Sequence, residues 1–129
     1  MKFMSLFGSM TGTDPKDCFD MDSVLFFVVK PGDLWKALGK QASNLKRLEQ
    51  VLKKKIRIIE FAEEKLEFIQ KAVLPLKISD ITENEEGIVT IKGPDTKTKG
   101  LLIGRNAKNL RNLENIIRRY FEVKEIKVV

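Results

Sequence analysis

Eleven residues, GKQASNLKRLE at 39–49, return as GRNAKNLRNLE at 104–114, and this repeat organises the whole chain. At a constant offset of 65 residues, six of the eleven positions are identical: Gly39/Gly104, Ala42/Ala107, Asn44/Asn109, Leu45/Leu110, Leu48/Leu113 and Glu49/Glu114. Two further positions keep their basic character, Lys40/Arg105 and Lys46/Arg111. Similarity at a fixed spacing is typical of a duplicated structural unit. The sequence therefore predicts two units, residues 1–62 and 63–129.

Both halves follow the same order of predicted elements, α-β-β-α-α-β. The elements of the first half are a helix with apolar residues Phe3, Leu6, Phe7 and Met10 that ends at Gly12, strands near Cys18–Asp20 and over Val24–Lys30, a short helix over Leu34–Leu38 behind the N-cap Asp33, the repeated stretch as an amphipathic helix, and a strand over Ile56–Phe61. Those of the second half are a helix with Leu66, Ile69 and Val73 that stops at Pro75, strands over Leu76–Ile81 and Ile88–Lys92, a short helix over Lys99–Ile103, the second copy, and a strand over Glu125–Val129. The fold class is therefore α+β.

Positive charge is concentrated around the two copies. The chain carries 24 Lys and Arg against 18 Asp and Glu, a net charge of +6. Residues 23–62 hold nine basic against three acidic side chains and residues 87–129 hold ten against four, whereas residues 1–22 and 63–86 are net acidic. Two basic blocks, each containing one copy, predict two contacts with a polyanion.

Residue types that support catalysis and metal binding are scarce. The chain has no histidine, which is the commonest general base and metal ligand, and its one cysteine, Cys18, cannot form an internal disulfide. We therefore expect no catalytic residue, no metal and no cofactor, and we interpret Cys18 as a small buried apolar residue. The apolar run Val24–Val29 is far too short to span a membrane, so a cytoplasmic protein without a membrane partner is expected.

A glycine between two helices, followed by a basic, a polar and a small residue, resembles the GxxG loop of KH domains. The predicted element order resembles the type II KH topology twice, which implies two consecutive type II KH domains (residues 1–62 and 63–129), each with a three-stranded mixed sheet and helices packed on one face. Residues 17–50, with the VVKPGD stretch and the glycine-lysine step, are similar to the archaeal NusA family of transcription factors. The resemblance implies a monomeric protein that binds single-stranded RNA and acts in transcription elongation or termination alongside RNA polymerase.

The RNA-binding residues implied by this resemblance lie in the two loops and in the helical turns beside them. They are Leu38, Gly39, Lys40, Gln41, Ala42, Asn44, Lys46 and Arg47 in the first copy, and Ile103, Gly104, Arg105, Asn106, Ala107, Lys108, Asn109 and Arg111 in the second. Unpaired amides at a helix start favour a phosphate, and a glycine without a Cβ lets the nucleic-acid backbone approach closely. Leu38 and Ile103 are expected to form the apolar floor of a groove for bases.

Both loops depart from the GxxG pattern in the same way, because alanine replaces the second glycine at Ala42 and Ala107. We expect these alanines to take helical dihedrals and leave the start of each helix intact. Their methyl groups reduce the clearance for a sugar-phosphate backbone. The sequence therefore predicts RNA binding that is weakened but retained.

Asn44, Asn109 and Trp35 each have two interpretations. The two asparagines either contact RNA or cap a helix through a local hydrogen bond to the backbone. Trp35, the only tryptophan, either stacks on a base or, as we favour, covers a margin of the core or the junction between the units.

The repeated glutamates, Glu49 and Glu114, are expected on the solvated flank of their helices. At that position they would pair with Lys53 and Arg118 one helical turn away. A catalytic role is not expected, because neither glutamate has a second catalytic group nearby.

Two alternatives to the RNA clamp stay open. The first keeps the fold but makes the protein an interaction scaffold on RNA polymerase or the ribosome, with the alanines marking a weakened grip on RNA. The second is a nucleic-acid chaperone that binds by charge alone. A clamp prefers single-stranded RNA, whereas charge-only binding accepts duplex DNA equally and is lost steeply with salt.

Overall fold

The chain separates into two compact units, Met1–Ala62 (unit 1) and Glu63–Val129 (unit 2), and the computed structural model describes residues 2–129 of it. Each unit has the element order predicted from the sequence, α-β-β-α-α-β, and contains one three-stranded sheet. The α+β class is therefore confirmed. Within the described part of the chain, no helix combines the length and the apolar character that crossing a bilayer requires.

Unit 1 is built around its central strand. Its elements are α1 (Lys2–Thr11), β1 (Pro15–Met21), β2 (Val24–Val29), α2 (Leu34–Leu38), α3 (Ser43–Leu52) and β3 (Lys55–Glu60). Strand β2 pairs antiparallel with β1, where Phe27 faces Cys18, and parallel with β3, where Phe27 faces Ile58. The sheet is therefore mixed, as predicted.

The core of unit 1 lies between one face of this sheet and the helices. Leu25, Phe27 and Val29 alternate along β2 and belong to one buried cluster with residues of all three helices: Phe7, Leu34, Ala37 and Leu48. The rings of Phe7 and Phe27 stack with their centroids 4.3 Å apart. Cys18 is buried in the same cluster, which confirms its predicted packing role.

Unit 2 repeats this arrangement. Its elements are α4 (Lys65–Ala72), β4 (Asp80–Glu83), β5 (Ile88–Lys92), α5 (Thr96–Ile103), α6 (Lys108–Arg118) and β6 (Glu125–Val128). The central strand β5 pairs antiparallel with β4 and parallel with β6. Val89 and Ile91 of β5 are buried. Side chains of the helices and of β6 are buried as well, among them Phe68, Ile117 and Ile126.

Two predicted elements of unit 2 were misplaced. The strand predicted over Leu76–Ile81 lies at Asp80–Glu83, because the chain first makes a turn that contains Pro75, with the amide of Leu76 donating to Val73 O at 3.0 Å. The helix predicted over Lys99–Ile103 begins earlier, at Thr96. It does so because Asp95 caps it, accepting a hydrogen bond from the amide of Thr98 at 2.7 Å.

Asp33 occupies the predicted N-cap position of α2, but its side chain makes no capping hydrogen bond. The amide of Leu34 donates instead to the Glu60 carboxylate, at 3.2 Å. A carboxylate from the end of β3 therefore satisfies a donor at the start of α2.

Candidate functional site

In each unit a loop connects the short helix to the long helix. The amide of Gly39 donates to Trp35 O at 3.1 Å and closes α2, and the amide of Gly104 donates to Gly100 O at 2.8 Å and closes α5. A single 3₁₀ turn follows each glycine, Lys40–Ala42 in unit 1 and Arg105–Ala107 in unit 2. The long helices α3 and α6 then begin at Ser43 and Lys108.

The two loops have the same backbone conformation. Three of the four loop positions, all except the basic residue after the glycine, have positive φ angles that agree within a few degrees between the copies: Gly39 at 76° and Gly104 at 74°, Gln41 and Asn106 at 54°, and Ala42 at 58° and Ala107 at 60°. Each loop thus places two neighbouring residues other than glycine in the left-handed region. Such residues are uncommon, and strain of this kind concentrates at functional sites.

The start of each long helix is intact directly after the alanine, but the expectation that the two alanines take helical dihedrals was wrong. Ala42 and Ala107 adopt the left-handed conformation, not the right-handed helical one. A Cβ atom makes this conformation unfavourable by about 1–2 kcal/mol for an L-residue. Alanine therefore strains the loop at the position where a second glycine would relax it.

Gly39 and Gly104 are required by packing as well as by dihedral angle. A Cβ atom on Gly39 would lie 2.9 Å from Cγ and Nδ2 of Asn44, and one on Gly104 would lie 2.6 Å from Cγ of Asn109. The space that a side chain at the glycine would need is occupied by an asparagine from the following helix. A side chain of the protein thus already lies close to the glycine, where the close approach of a nucleic-acid backbone was expected.

The asparagines bind the carbonyls of the preceding helix. Asn44 Nδ2 donates to Lys36 O at 3.4 Å, and Asn109 Nδ2 donates to Leu101 O at 2.9 Å. These carbonyls lie in the last turns of α2 and α5, where acceptors have no partner within the helix. The side chains therefore join two helices across the loop and do not make the local cap that was one of the two interpretations.

Most of the predicted polar site residues are accessible. The exposed ones are Lys40, Gln41, Lys46, Arg47, Arg105, Asn106, Lys108, Asn109 and Arg111. Leu38 and Ile103, predicted as an apolar floor, are partly buried, and Leu38 packs against the core of unit 1. The structure thus places the predicted cations of each copy on or beside its own loop.

Arg111 differs from its counterpart Lys46 because a carboxylate holds it. Arg111 Nη1 lies 2.8 Å from both carboxylate oxygens of Glu114. These hydrogen bonds raise the pKa of Arg111 above its ordinary value. The guanidinium of Arg111 is therefore engaged in an ion pair within the protein.

The expected solvated position of the repeated glutamates was wrong. Glu114 is only 3% exposed and accepts a hydrogen bond from the amide of Ile126 at 2.7 Å, while Glu49 accepts one from the amide of Ile56 at 3.1 Å. The predicted partner Arg118 donates instead to the carbonyl oxygens of Val123 and Lys124, directly before β6. Each glutamate thus joins the long helix to the closing strand, a role that helical spacing alone does not indicate.

Trp35 lies on α2, one turn before Gly39, and its side chain is 76% exposed. The interpretation that it covers a margin of the core was therefore wrong. At the corresponding position unit 2 has Gly100, where an added Cβ would meet nothing within 4 Å. At this position the two units therefore differ, with an indole in unit 1 and no side chain in unit 2.

A separate open cleft of about 640 Å³ lies in unit 2. Its lining includes Lys65, Glu83, Arg118 and Phe121, and it contains none of the predicted site residues. Among the described residues, no group of three or more cysteine or acidic side chains is arranged to hold a metal ion.

Three relatives cover nearly the whole chain, and each is named probable transcription termination protein NusA. The protein of Methanococcus vannielii is 34% identical over 128 residues, which span 98% of this chain and 74% of the relative. The protein of Methanocaldococcus jannaschii is 30% identical over 115 residues, spanning 88% of this chain and 63% of the relative. That of Halococcus morrhuae is 24% identical and spans 99% of this chain and 93% of the relative.

The fold also has a counterpart among solved structures. The crystal structure of APE1850 matches with a TM-score of 0.78 at 24% identity, covering 99% of this chain and 96% of that chain. No family model matches the sequence. The similarity to the M. vannielii protein, at 34% identity over 98% of the chain, nevertheless decides the family. The chain belongs to the archaeal family of proteins named probable transcription termination protein NusA.

Proposed function

We propose that the chain consists of two type II KH domains, residues 1–62 and 63–129, which bind single-stranded RNA through the loops Gly39–Ala42 and Gly104–Ala107. The element order supports this proposal, as does the mixed sheet in which the central strand is parallel to the closing strand. KH domains hold about four nucleotides of a single strand at such a loop.

The observation that carries the proposal is the conformation shared by the two loops. Outside the repeated stretch the two halves differ greatly in sequence, yet both keep a strained pair of left-handed residues after the glycine. Both also place an exposed basic residue, Lys40 or Arg105, directly after that glycine. Strain costs stability, so its presence in both copies supports a use for the loop beyond connecting two helices.

The electrostatics of the loops fit a phosphate. Among the described residues, no side chain caps the first turn of α3 or of α6. The first amide of each helix, at Ser43 or Lys108, donates to Lys40 O or Arg105 O of the preceding turn. The next amides of the first turn lack partners within the helix, and they carry the positive end of the helix dipole. A backbone phosphate beside Lys40 or Arg105 would receive hydrogen bonds from amides and also meet a cation.

A role in transcription follows from the family. The relatives are named for transcription termination, and we propose that this chain acts in elongation or termination, alongside RNA polymerase. Its proposed contribution is to position RNA through the exposed loop cations Lys40 and Arg105. A protein that holds a nascent strand needs exposed cations and a shaped loop, and no reaction chemistry.

The salt dependence of the affinity for three nucleic acids tests this proposal. Affinity for a single-stranded RNA, a single-stranded DNA and a duplex of equal length is measured between low and physiological salt. A clamp predicts the tightest binding to single-stranded RNA throughout the series. Equal affinity for the duplex, with a steep loss in salt, would show charge-only binding. The absence of RNA binding at low salt would contradict the proposal.

One observation favours a protein-interaction scaffold as the second candidate. The charge of Arg111 is already engaged by Glu114, so unit 2 offers a phosphate fewer free cations than unit 1. A scaffold would bind RNA polymerase as tightly after the exposed loop cations Lys40 and Arg105 are replaced by glutamine. An RNA clamp would lose affinity for RNA with the same two changes.

A further inference from the structure

Trp35 is the most exposed large apolar side chain among the described residues, at 76%. Its backbone is part of the loop structure, because its carbonyl accepts the hydrogen bond that closes α2 at Gly39. One helical turn, about 5.4 Å of rise, separates it from that glycine. An indole in this position contributes little to the core and remains available to a partner.

The surroundings of Trp35 favour a nucleic acid over an apolar protein surface. The loop one turn away presents the exposed side chains of Lys40 and Gln41. The block of residues 23–62 holds nine basic against three acidic side chains. An aromatic face among cations suits a base that is joined to a phosphate, since the ring stacks while the cations neutralise the backbone.

The comparison between the units supports a specific role. Unit 2 has Gly100 in place of Trp35, and the space around Gly100 is open. Unit 2 also has Arg111, held by Glu114, in place of the exposed Lys46. Both differences favour tighter binding of single-stranded RNA by unit 1 than by unit 2.

We propose that Trp35 stacks on a base of the RNA strand held at Gly39–Ala42 and makes unit 1 the tighter of the two binding units. This proposal rests on the proposed function, because it requires that RNA binds at the loop. A stacked base accepts any sequence, since every base has a π face. Trp35 therefore adds affinity without selecting a particular base.

The chain provides its own probe, since Trp35 is its only tryptophan. We would titrate it with a mixed-sequence single-stranded RNA of about 12 nucleotides, which exceeds the roughly four that one KH loop holds. Anisotropy of a labelled copy of this RNA reports binding, and the emission of Trp35 is followed in a parallel titration with unlabelled RNA. Stacking predicts that the emission is quenched over the same concentration range in which anisotropy rises.

Substitutions separate stacking from simple proximity. Trp35→Ala and Trp35→Leu are expected to weaken RNA binding about tenfold or more, whereas Trp35→Phe, which keeps a π face, retains most of the affinity. Val51→Ala is the matched control, because Val51 is an exposed apolar residue of the same unit but lies in the last turn of α3. Circular dichroism verifies that each variant is folded.

Two outcomes would overturn the proposal in distinguishable ways. If anisotropy rises normally while Trp35 emission and the affinity of Trp35→Ala stay unchanged, RNA binding stands but stacking fails, and Trp35 is left for a protein partner. If anisotropy does not rise at all, the proposed function fails together with this inference.

Discussion

A Cβ atom on Gly104 would lie 2.6 Å from Cγ of Asn109, so this glycine is required by a side chain of the protein itself. Asn109 uses the space to reach Leu101 O, at 2.9 Å. The same relationship joins Gly39 and Asn44 in unit 1, with 2.9 Å between the added Cβ and Cγ. The loop glycines thus stabilise the connection between two helices before any ligand is considered.

The first prediction is that Gly104→Ala destabilises the protein. We expect the free energy of unfolding to fall by about 2 kcal/mol or more, because the positive φ and the contact with Asn109 each contribute. Urea unfolding followed by circular dichroism measures the loss. Gly100→Ala is the matched control, since a Cβ there meets nothing within 4 Å and alanine is the better helix former. Equal stability of the two variants would contradict the packing account.

The second prediction concerns the strained alanines. Ala42→Gly and Ala107→Gly should each raise the free energy of unfolding by about 1 kcal/mol, because glycine adopts a positive φ without a steric penalty. Ala37→Gly provides a control of opposite sign, since Ala37 is buried in the right-handed helix α2. Thermal unfolding compares the three variants. Destabilisation by the loop substitutions would show that the strain is smaller than the entropy that glycine loses.

The sequence predicted the duplication, the element order and the exposed loop cations, because all three depend on residue type and spacing alone. It misplaced the start of α5, since the segment Thr96–Gly100 has few apolar residues and only the cap from Asp95 begins the helix there. The left-handed conformation of Ala42 could not be predicted, because alanine ordinarily favours a helix. The contact of Glu114 with Ile126 depends on tertiary packing that brings residues twelve positions apart together.

The third prediction is a dependence of stability on pH through Asp95. Its hydrogen bonds from Thr98 hold the pKa of this carboxyl below its ordinary value. A lowered pKa in the folded state means that the carboxylate stabilises the protein above its unfolded pKa, and that this contribution is lost as the pH falls through the folded pKa. Asp95→Ala should therefore be less stable than the wild type at neutral pH, with the difference vanishing in acid.

The free energy of unfolding of Asp95→Ala and of the wild type is compared at neutral and at acid pH, and Asp33→Ala is the matched control. Asp33 also occupies an N-cap position, but its side chain makes no capping hydrogen bond. Its replacement should leave stability at neutral pH nearly unchanged. A loss as large as that of Asp95→Ala would indicate that charge near the helix start, and not the hydrogen bond, is responsible.

The fourth prediction compares the two repeated glutamates. Glu114→Ala should lower the free energy of unfolding by about 1–3 kcal/mol, because it leaves the amide of Ile126 buried without an acceptor. Glu49→Ala should cost less, since its hydrogen bond to Ile56 is longer and only partly buried. Glu114→Gln keeps an acceptor and is expected to fall between Glu114→Ala and the wild type. Equal losses at the two positions would contradict the role assigned to burial.

If RNA phosphates lie against the two loops, a negative charge placed in the loops must weaken RNA binding. Gln41→Asp and Asn106→Asp add a negative charge at exposed loop positions, and aspartate tolerates the positive φ of both. Gln50→Asp and Asn115→Asp make the same change of charge at exposed positions farther along α3 and α6.

The decisive measurement is the affinity of both double variants for single-stranded RNA at physiological salt. We predict that the loop pair lowers the affinity about tenfold or more, whereas the control pair stays close to the wild type. If the two double variants bind RNA equally well, the loops do not hold the phosphates.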